Sequence, residues 1–584
     1  MPSDLQPVTS RAPSKIESWI VQPDFIFRAG LFLILALYLR TLAFDFVYDD
    51  LFIPISPLIQ SWHGLIGAFQ SDIFAIGGQA GSSYYRPLDL VFFVVVPRLT
   101  SGTPAWFHLA TLLIALTVYV LSYVFGRLFF ENDRLAALTS VLFALHPSKV
   151  ESIAWIGSGA CDGQAAIYFF AVLICYLKWW NTRKTSWLLG SVAAFCCALF
   201  TKETMVVVPG LLVLHCFLHV RQGAKLRTAT WIGSSYLIVI AVYLFARRLV
   251  LKLLPHTNLS VRPTFTLVNL WSAPAATWWY VKRLFFPSGL SILYDWTEVI
   301  SPSWRNFGLP LFGLLVIAAL LAWAWYRTRS WRLLFLSAWF VLTLGPPIAL
   351  SPGVTVHDRY LYLPSYAFCA LLGFGIIRVA NRWPQWRLLA PACAVLLIAA
   401  WSVSTWHESS YWDNSLSLWG RAVEIAPHNV NARVEFARLL SETNEPAALR
   451  VFDDGLRLLP DSPGLWRSRG LLLYNAGAYE EARTSLLHSL DASARFSANP
   501  GGEPLDVKYG RATVAFFLGQ IDMIEGNPTA ADPWLRMALS LVPENVDYER
   551  AMVANLRKQG LDAEASKYQK LVDELIASTT MKKH

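Results

Sequence analysis

Charge is scarce in this chain. Of 584 residues only 15% are Asp, Glu, Lys or Arg, whereas 55% are hydrophobic, 25 are Trp and mean hydropathy is +0.41. That balance excludes an ordinary soluble protein. The apolar residues come in blocks long enough to cross a bilayer, which predicts a polytopic helical membrane protein. Cysteine is scarce too. The seven Cys, with Cys175, Cys196, Cys197 and Cys393 inside apolar segments, show neither metal-ligand spacing nor a disulfide framework and read as small core residues. The first 27 residues lack the basic, apolar, small-residue order of a cleavable signal, so the segment Arg28 to Phe44 is expected to stay as an anchor. A net charge of +9 does not point to nucleic acid, because Lys and Arg sit in short links between apolar segments, where the positive-inside rule places them.

The apolar character stops near Trp406, and about 180 residues of ordinary soluble composition follow. The expected organisation is a cytoplasmic tail over 1–27, a transmembrane domain over 28–406 and a soluble domain over 407–584. With the first segment entering from the inside, the charge of the links predicts eleven spans. The basic links at Arg127 and Arg134, at Lys178, Arg183 and Lys184, and at Arg221, Lys225 and Arg227 fall inside. So do Arg327, Arg329 and Arg332, and then Arg378, Arg382 and Arg387. The stretch Val268 to Phe286 is apolar but carries Pro274, Lys282 and Arg283. If it crossed, every later basic link would face outward, so it is expected to be re-entrant or interfacial. Arg247, Arg248 and Lys252 near an outer end oppose this arrangement.

The same topology gathers ionisable groups on the outer face. They are Asp49 and Asp50, His146 with Lys149, Asp162, Lys202 with Glu203, Asp295, and His357, Asp358, Arg359 and Tyr360. Each such group placed centrally in a membrane costs about 2.5–3.5 kcal/mol on insertion scales. Singly, each reads equally well as a snorkelling or helix-end side chain; together they imply a site. The first outer loop, 45–104, is unusually long. Within it Ile55 to Phe69 has a helical apolar stripe with Trp62 at its edge and is expected to be a helix lying on the membrane. Residues 77–88 then break regular structure and deliver Arg86. No Lys-Ser/Thr follows these glycines, so they do not form a nucleotide phosphate loop. A carboxylate that takes a proton from a hydroxyl, beside Arg and Lys that bind a phosphate, suits sugar transfer from a lipid phosphate at the interface.

Seven short pieces carry a resemblance, in order along the chain. They are Phe-Val-Tyr-Asp-Asp after the first span, Tyr-Arg-Pro-Leu at 85–88, Phe-His-Leu at 107–109, and Phe-Ala-Leu-His-Pro at 143–147 with Val-Glu-Ser after it. Thr-Lys-Glu-Thr at 201–204, Asp-Trp at 295–296 and Arg-Tyr-Leu-Tyr-Leu-Pro-Ser at 359–365 complete the set. Together they resemble the transmembrane and tetratricopeptide-repeat O-mannosyltransferases and their bacterial relatives in the GT-C superfamily. The resemblance implies a GT-C-type transmembrane domain, a polyprenyl-phosphate-sugar donor, inversion at the anomeric carbon and a catalytic acid residue in the first outer loop. Carried over by position, the base is Asp49 or Asp50, with Asp49 favoured because related mannosyltransferases use the first of two acidic residues. Arg86, Arg359 and Tyr360 are then expected at the donor phosphate, with Lys202 as a further ligand oriented by Glu203. His146, Asp295, His357 and Asp358 are further site candidates. His357-Asp358 departs from the acidic-Arg pairing expected of the family. Some relatives use a divalent metal, but the protein O-mannosyltransferases do not, so no cofactor is expected.

The soluble part points the same way. Pro427 and Pro460 lie 33 residues apart, close to the 34-residue tetratricopeptide period. Trp466, Gly470, Tyr479, Ala482 and Leu486 occupy packing positions of one unit, and Gly519, Ala531, Leu535, Ala538 and Pro543 those of another. Pro460 to Pro543 is 83 residues, two periods plus about 15, which places an insertion at 496–506. An all-α chain results, with roughly four repeats stacked into a short solenoid that holds acceptor polypeptide. The expected function is transfer of a hexose, possibly mannose, to Ser or Thr hydroxyls of extracytoplasmic proteins. Transfer to a lipid or glycan, with the repeats used for assembly, is the alternative. A non-enzymatic transporter or scaffold predicts charges spread through the membrane interior, which the sequence lacks. One sequon, Asn258, stands at an outer position, and the motif variants favour a bacterial inner membrane with the site facing the periplasm over the endoplasmic reticulum.

Overall fold

The computed structural model describes residues 22–77, 84–219, 225–253, 266–350, 356–386, 388–497 and 505–581. The early tail, the glycines of residues 78–83, Arg221, Asn258, Arg387 and residues 498–504 of the expected insertion lie outside them. Among the described residues there is no strand, and the chain is all-α. It divides into two compact units, Met1–Leu418 and Trp419–His584.

The first unit contains α1 (Pro23–Tyr38), α2 (Gly64–Gln70), α3 (Pro87–Leu99), α4 (Pro104–Phe130), α5 (Asp133–Leu145), α6 (Gln164–Thr182) and α7 (Thr185–Thr201). There follow α8 (Val208–His219), α9 (Lys225–Leu253), α10 (Leu267–Phe285), α11 (Leu309–Thr328), α12 (Trp331–Leu350), α13 (Pro364–Arg382) and α14 (Leu389–Ser409). Local chemistry sets the boundaries. Pro104 opens α4 at a position where its missing N–H costs nothing, Glu131 closes it at φ 55°, and the Asn132 side chain caps α5 by accepting from the Leu135 N–H at 3.0 Å. A Cβ on Gly126 would sit 3.0 Å from that of Ala136, so only glycine lets α4 and α5 approach this closely. Aromatic side chains fill the core. Trp339 is fully buried, stacks on Tyr366 at 5.1 Å and gives its indole N–H to the Leu363 carbonyl at 2.9 Å, which satisfies the one polar atom it buries.

Among the described residues eight helices are long and apolar enough to cross a membrane, and the protein is an integral membrane protein. Three of the eleven expected spans correspond to shorter apolar helices. Thr185–Thr201 and Glu203–His219 are apolar but shorter, and α5 has 13 residues, about 20 Å at 1.5 Å per residue, against a hydrocarbon core of about 30 Å. The basic links nevertheless converge. Arg332 bonds the Phe129 carbonyl and pairs with Glu131, while Trp331 packs on His219, which lies against Trp180. The opposite end holds the loop after α1. There the Asp45 N–H donates to the Asp413 carbonyl at 2.9 Å, so the chain leaves the last span beside the start of the first loop.

Geometry bears on two further expectations. Helix α10 runs unbroken through Pro274, but both its halves contact segments at the loop-bearing end. Ser272 Oγ accepts from Val299 N–H, Tyr280 Oη accepts from His357 N–H, and the Leu284 carbonyl meets His146. These contacts are the ones an interfacial helix would make. The expected helix over 55–69 is instead a 3₁₀ turn at Pro57–Gln60 followed by the seven-residue α2. Pro57 opens the 3₁₀ turn at its first position, and a Cβ on Gly64 would lie 1.9 Å from the Leu58 carbonyl oxygen, so the chain folds back here. Ile55, Trp62, Ile66 and Phe69 still point outward.

In the second unit four helix pairs follow one another. They are Val430–Ser441 with Glu445–Leu458, Pro463–Asn475 with Tyr479–Ser497, Leu505–Ile524 with Pro528–Leu541, and Val546–Lys558 with Asp562–Met581. Asn429, Asn444, Ser462 and Asn545 cap helix starts, and Gly477, Gly526 and Gly560 take positive φ between the helices of three pairs. Gly526 and Gly560 are one 34-residue period apart; Gly477 and Gly526 are 49 apart, so the insertion interrupts the spacing between these pairs.

Candidate active site

The loop after α1 turns sharply at Tyr48, a non-glycine residue at φ 55°. An aromatic residue in the left-handed region is strained and persists only where neighbours hold it; here Tyr48 packs edge-on against Trp155 at 5.3 Å. The turn sends the two aspartates in different directions. Asp50 is 1% exposed and accepts the backbone N–H groups of Gly157 at 2.9 Å and Ile156 at 3.2 Å, tying the loop to the segment before α6. Asp49 is exposed within a cavity of about 660 Å³. Burial raises both carboxyls above the ordinary carboxylate range, Asp50 far more, while Arg359 opposes the shift at Asp49.

Four cations line the same cavity; Arg247 is one, and each of the other three is held by a carboxylate remote in sequence. Arg86, at the start of α3, grips Glu203 with two bonds, Nε to Oε2 at 2.8 Å and Nη2 to Oε1 at 2.6 Å. Lys202 pairs with Asp162, which a π turn at Gly159–Gly163 places at the head of α6. Arg359 gives its guanidinium to Glu151 Oε1 at 2.5 Å and its backbone N–H to Oε2 at 2.9 Å. Tyr360 lines the cavity beside Lys202. The Lys202–Asp162 pair and Glu151 are buried and the Arg86–Glu203 pair is partly so; loss of Lys202 or Arg359 leaves a buried carboxylate uncompensated. Part of the lining is an apolar wall, with Phe74, Val206, Ile240, Leu244 and Pro346. Of these, Phe74, Val206 and Leu244 are 52, 40 and 51% exposed, so the apolar wall continues onto the outer surface of the unit.

The structure therefore brings Asp49, Asp50, Arg86, Lys202, Glu203, Arg359 and Tyr360 to one cavity. Glu203 does not orient Lys202, its chain neighbour, but Arg86. His146 does not line the cavity: its ring is buried against Trp401, with Nδ1 at Ser148 and Nε2 at the Leu284 carbonyl, and burial pushes it down to about 3. It joins α5 to α10 as a neutral ring. Asp358 is buried, bonded by the Tyr294 hydroxyl, and not part of the lining; burial pushes it up to about 7. His357 packs on Tyr360 away from the lining, and Asp295 is exposed outside it. Glu151 and Asp89 escaped the sequence reading as site residues. Glu151 lies in the Val-Glu-Ser that follows His-Pro, and Asp89 stands one turn after Arg86, but neither spacing reveals its partner. Among the described residues no group of three His, Cys, Asp or Glu is placed to hold a metal ion.

No protein-family model matches the chain. It is similar to human protein O-mannosyl-transferase TMTC1, 24% identical over 500 residues, covering 74% of this chain and 55% of the relative. It is also similar to human protein O-mannosyl-transferase TMTC3, 22% identical over 574 residues, covering 89% and 60%. The chain thus spans little more than half the length of these curated relatives. Among solved structures, ArnT from Cupriavidus metallidurans bound to undecaprenyl phosphate aligns with 81% of this chain and 80% of its own at 15% identity and a TM-score of 0.40. The peptide-binding tetratricopeptide protein YrrB aligns with 28% of this chain and 76% of its own at 23% identity and a TM-score of 0.22.

Proposed function

We propose that this chain is an inverting membrane glycosyltransferase that moves a hexose from a polyprenyl-phosphate donor to Ser or Thr hydroxyls of extracytoplasmic polypeptides. The observation that carries the reading is the cavity itself, in which an accessible carboxylate, three positioned cations and an apolar wall continuous with the outer surface meet. The wall takes the polyprenyl chain from the hydrocarbon, and Arg86, Lys202 and Arg359 face the phosphate. Asp49 takes the proton of the acceptor hydroxyl as that oxygen bonds to the anomeric carbon from the side opposite the phosphate. The bond from the anomeric carbon to the phosphate oxygen breaks with its electron pair staying on the phosphate, whose new charge the cations stabilise. Asp50 shapes the loop and takes no proton from substrate. No metal enters the scheme.

The relatives named as protein O-mannosyl-transferases support mannose as the sugar and protein as the acceptor. In the second unit Trp466 stacks on His488 at 4.7 Å beside Arg469, which Asp453 and Ser485 hold; this groove suits an extended polypeptide. The basic links gathered at the end opposite the cavity support a site on the extracytoplasmic side, in a bacterium the periplasm. The test is transfer from mannosyl-phosphoryl polyprenols to a peptide panel by the purified full chain in lipid nanodiscs. Glycopeptide and free polyprenyl phosphate are expected in equal amounts. Sugar appearing only on lipid or glycan acceptors would remove the protein half of the reading, and no turnover with any donor would remove all of it.

A further inference from the structure

Six carboxylates belong to this site, and five have an evident task. Glu203, Asp162 and Glu151 hold cations, Asp50 holds two backbone N–H groups, and Asp49 is the accessible base. The sixth, Asp89, stands in the first turn of α3 and lines the cavity, yet it is only 3% exposed and its Oδ1 is buried without a hydrogen-bond partner. A buried carboxyl oxygen left unpaired costs about 1–3 kcal/mol or more and asks for a partner absent from the chain itself. The Cys161 thiol hydrogen-bonds the Asp89 carboxyl, so the vacancy is at Oδ1; the other neighbours are Arg86 and the Lys202–Asp162 pair, and both cations are already matched by other carboxylates.

Resting on the function proposed above, we infer that Asp89 is a specificity-determining residue that hydrogen-bonds hydroxyl groups of the transferred sugar at the inner end of the cavity. A carboxylate repels a phosphate, but its unpartnered Oδ1 accepts from neutral hydroxyls. Tyr84, Phe93, Trp155 and Tyr360 also line the cavity and give it aromatic surface that suits the C–H side of a hexose. The access gradient agrees: Asp49, which must meet an incoming acceptor, is exposed, and Asp89 is enclosed. Burial pushes the Asp89 carboxyl up to about 7 against the pull of Arg86 and Lys202, with Asp162 adding to the rise, so it can donate as well as accept near neutral pH.

The test compares wild type with Asp89→Asn and Asp89→Glu in nanodiscs, using farnesyl phosphate, mannosyl and glucosyl farnesyl phosphate, and singly deoxygenated mannosyl esters as probes. For Asp89→Asn the dissociation constant for the mannosyl ester is expected to rise about 10- to 100-fold, the loss of a hydrogen bond to a charged group, with farnesyl phosphate changed by less than about threefold. At least one deoxy ester should lose its penalty in Asp89→Asn and keep it in wild type. Asp89→Glu should bind farnesyl phosphate normally with an altered deoxy profile. Equal weakening of farnesyl phosphate and its ester, or unchanged discrimination in both variants, would overturn the assignment while the transferase reading stands. Wild type binding neither form would instead remove the donor on which both readings rest.

Discussion

Replacing Asp49 and Asp50 by Asn, one at a time, separates chemistry from architecture at adjacent residues. Asp50 accepts two backbone N–H groups from the Ile156–Gly157 turn in a site only 1% exposed. An Asn amide keeps one oxygen and presents an NH₂ group in place of the other, so one of those N–H groups is left facing a donor. The loss is that of one buried hydrogen bond, about 1–3 kcal/mol. In a unit of this size each kcal/mol moves the thermal midpoint by about 2 °C or less, so Asp50→Asn should lower it by a few degrees, with partial loss of transfer. Asp49 makes no comparable bond. Asp49→Asn should leave the midpoint unmoved within about 1 °C and lower kcat by about 10²–10⁴, or about 3–5 kcal/mol in the barrier. The assay is single-turnover transfer from a mannosyl-phosphoryl polyprenol to peptide, run beside thermal unfolding in the same detergent. If Asp50→Asn abolished transfer at an unchanged midpoint while Asp49→Asn kept turning over, the roles would be reversed and the reading of the Tyr48 turn wrong.

Glu151→Gln should loosen Arg359, which then loses its fixed aim at the cavity; kcat/KM is expected to fall about 10- to 100-fold, and Arg359→Lys should do the same because an ammonium cannot reproduce the guanidinium's planar grip. The base form of Asp49 exists above its folded pKa, which burial raises and Arg359 lowers, so the acid limb of the kcat/KM profile should lie above the ordinary Asp range and move further up in Arg359→Ala. A profile unmoved by that substitution would exclude Asp49 as the titrating base. Lys149 is 1% exposed, donates to the Tyr362 carbonyl at 2.8 Å and to Ser365, and burial pushes it from 10.5 down to about 7. Between those values the unfolded chain binds the extra proton, so stability should rise with pH across that window, and Lys149→Met should remove the slope in a denaturation series. A Cβ on Gly470 would meet Leu486 Cγ at 2.8 Å, so Gly470→Val should destabilise the helix pairs by about 1–3 kcal/mol, read as faster proteolysis of the second unit at unchanged transfer to short peptides.

Much of the architecture was legible because its causes are local. Apolar blocks of spanning length mark membrane helices without any tertiary knowledge, and the charge of the links singled out α10 among them. The repeat period carried the second unit, down to the insertion that stretches the distance from Gly477 to Gly526. The errors have local causes too. A helical apolar stripe over 55–69 was visible, but Gly64 packs against its own chain, a contact no periodicity shows. Short apolar blocks such as α5 are harder to read, because hydropathy marks burial in protein and burial in lipid alike; ten of its 13 residues are buried inside the unit.

The site was half legible, and the reason lies in electrostatics. The sequence shows which ionisable residues face outward but not how they pair, because each pair spans a long stretch of chain: Arg86 with Glu203, Lys149 with Tyr362, Glu151 with Arg359. Adjacency misled for Lys202 and Glu203, which point to different partners. Pairing also answers how three cations can wait in a desolvated cavity before a phosphate arrives. Alone, each would lose its hydration with nothing in return; with a carboxylate fixed beside it, each keeps its charge and its aim. An arriving phosphate then adds an acceptor to cations already oriented, so little rearrangement is needed as charge develops on the leaving oxygen. By the same reasoning a carboxylate in the cavity without a cation or a backbone donor is costly in the empty protein, and Asp89 is the place where that cost points to the substrate.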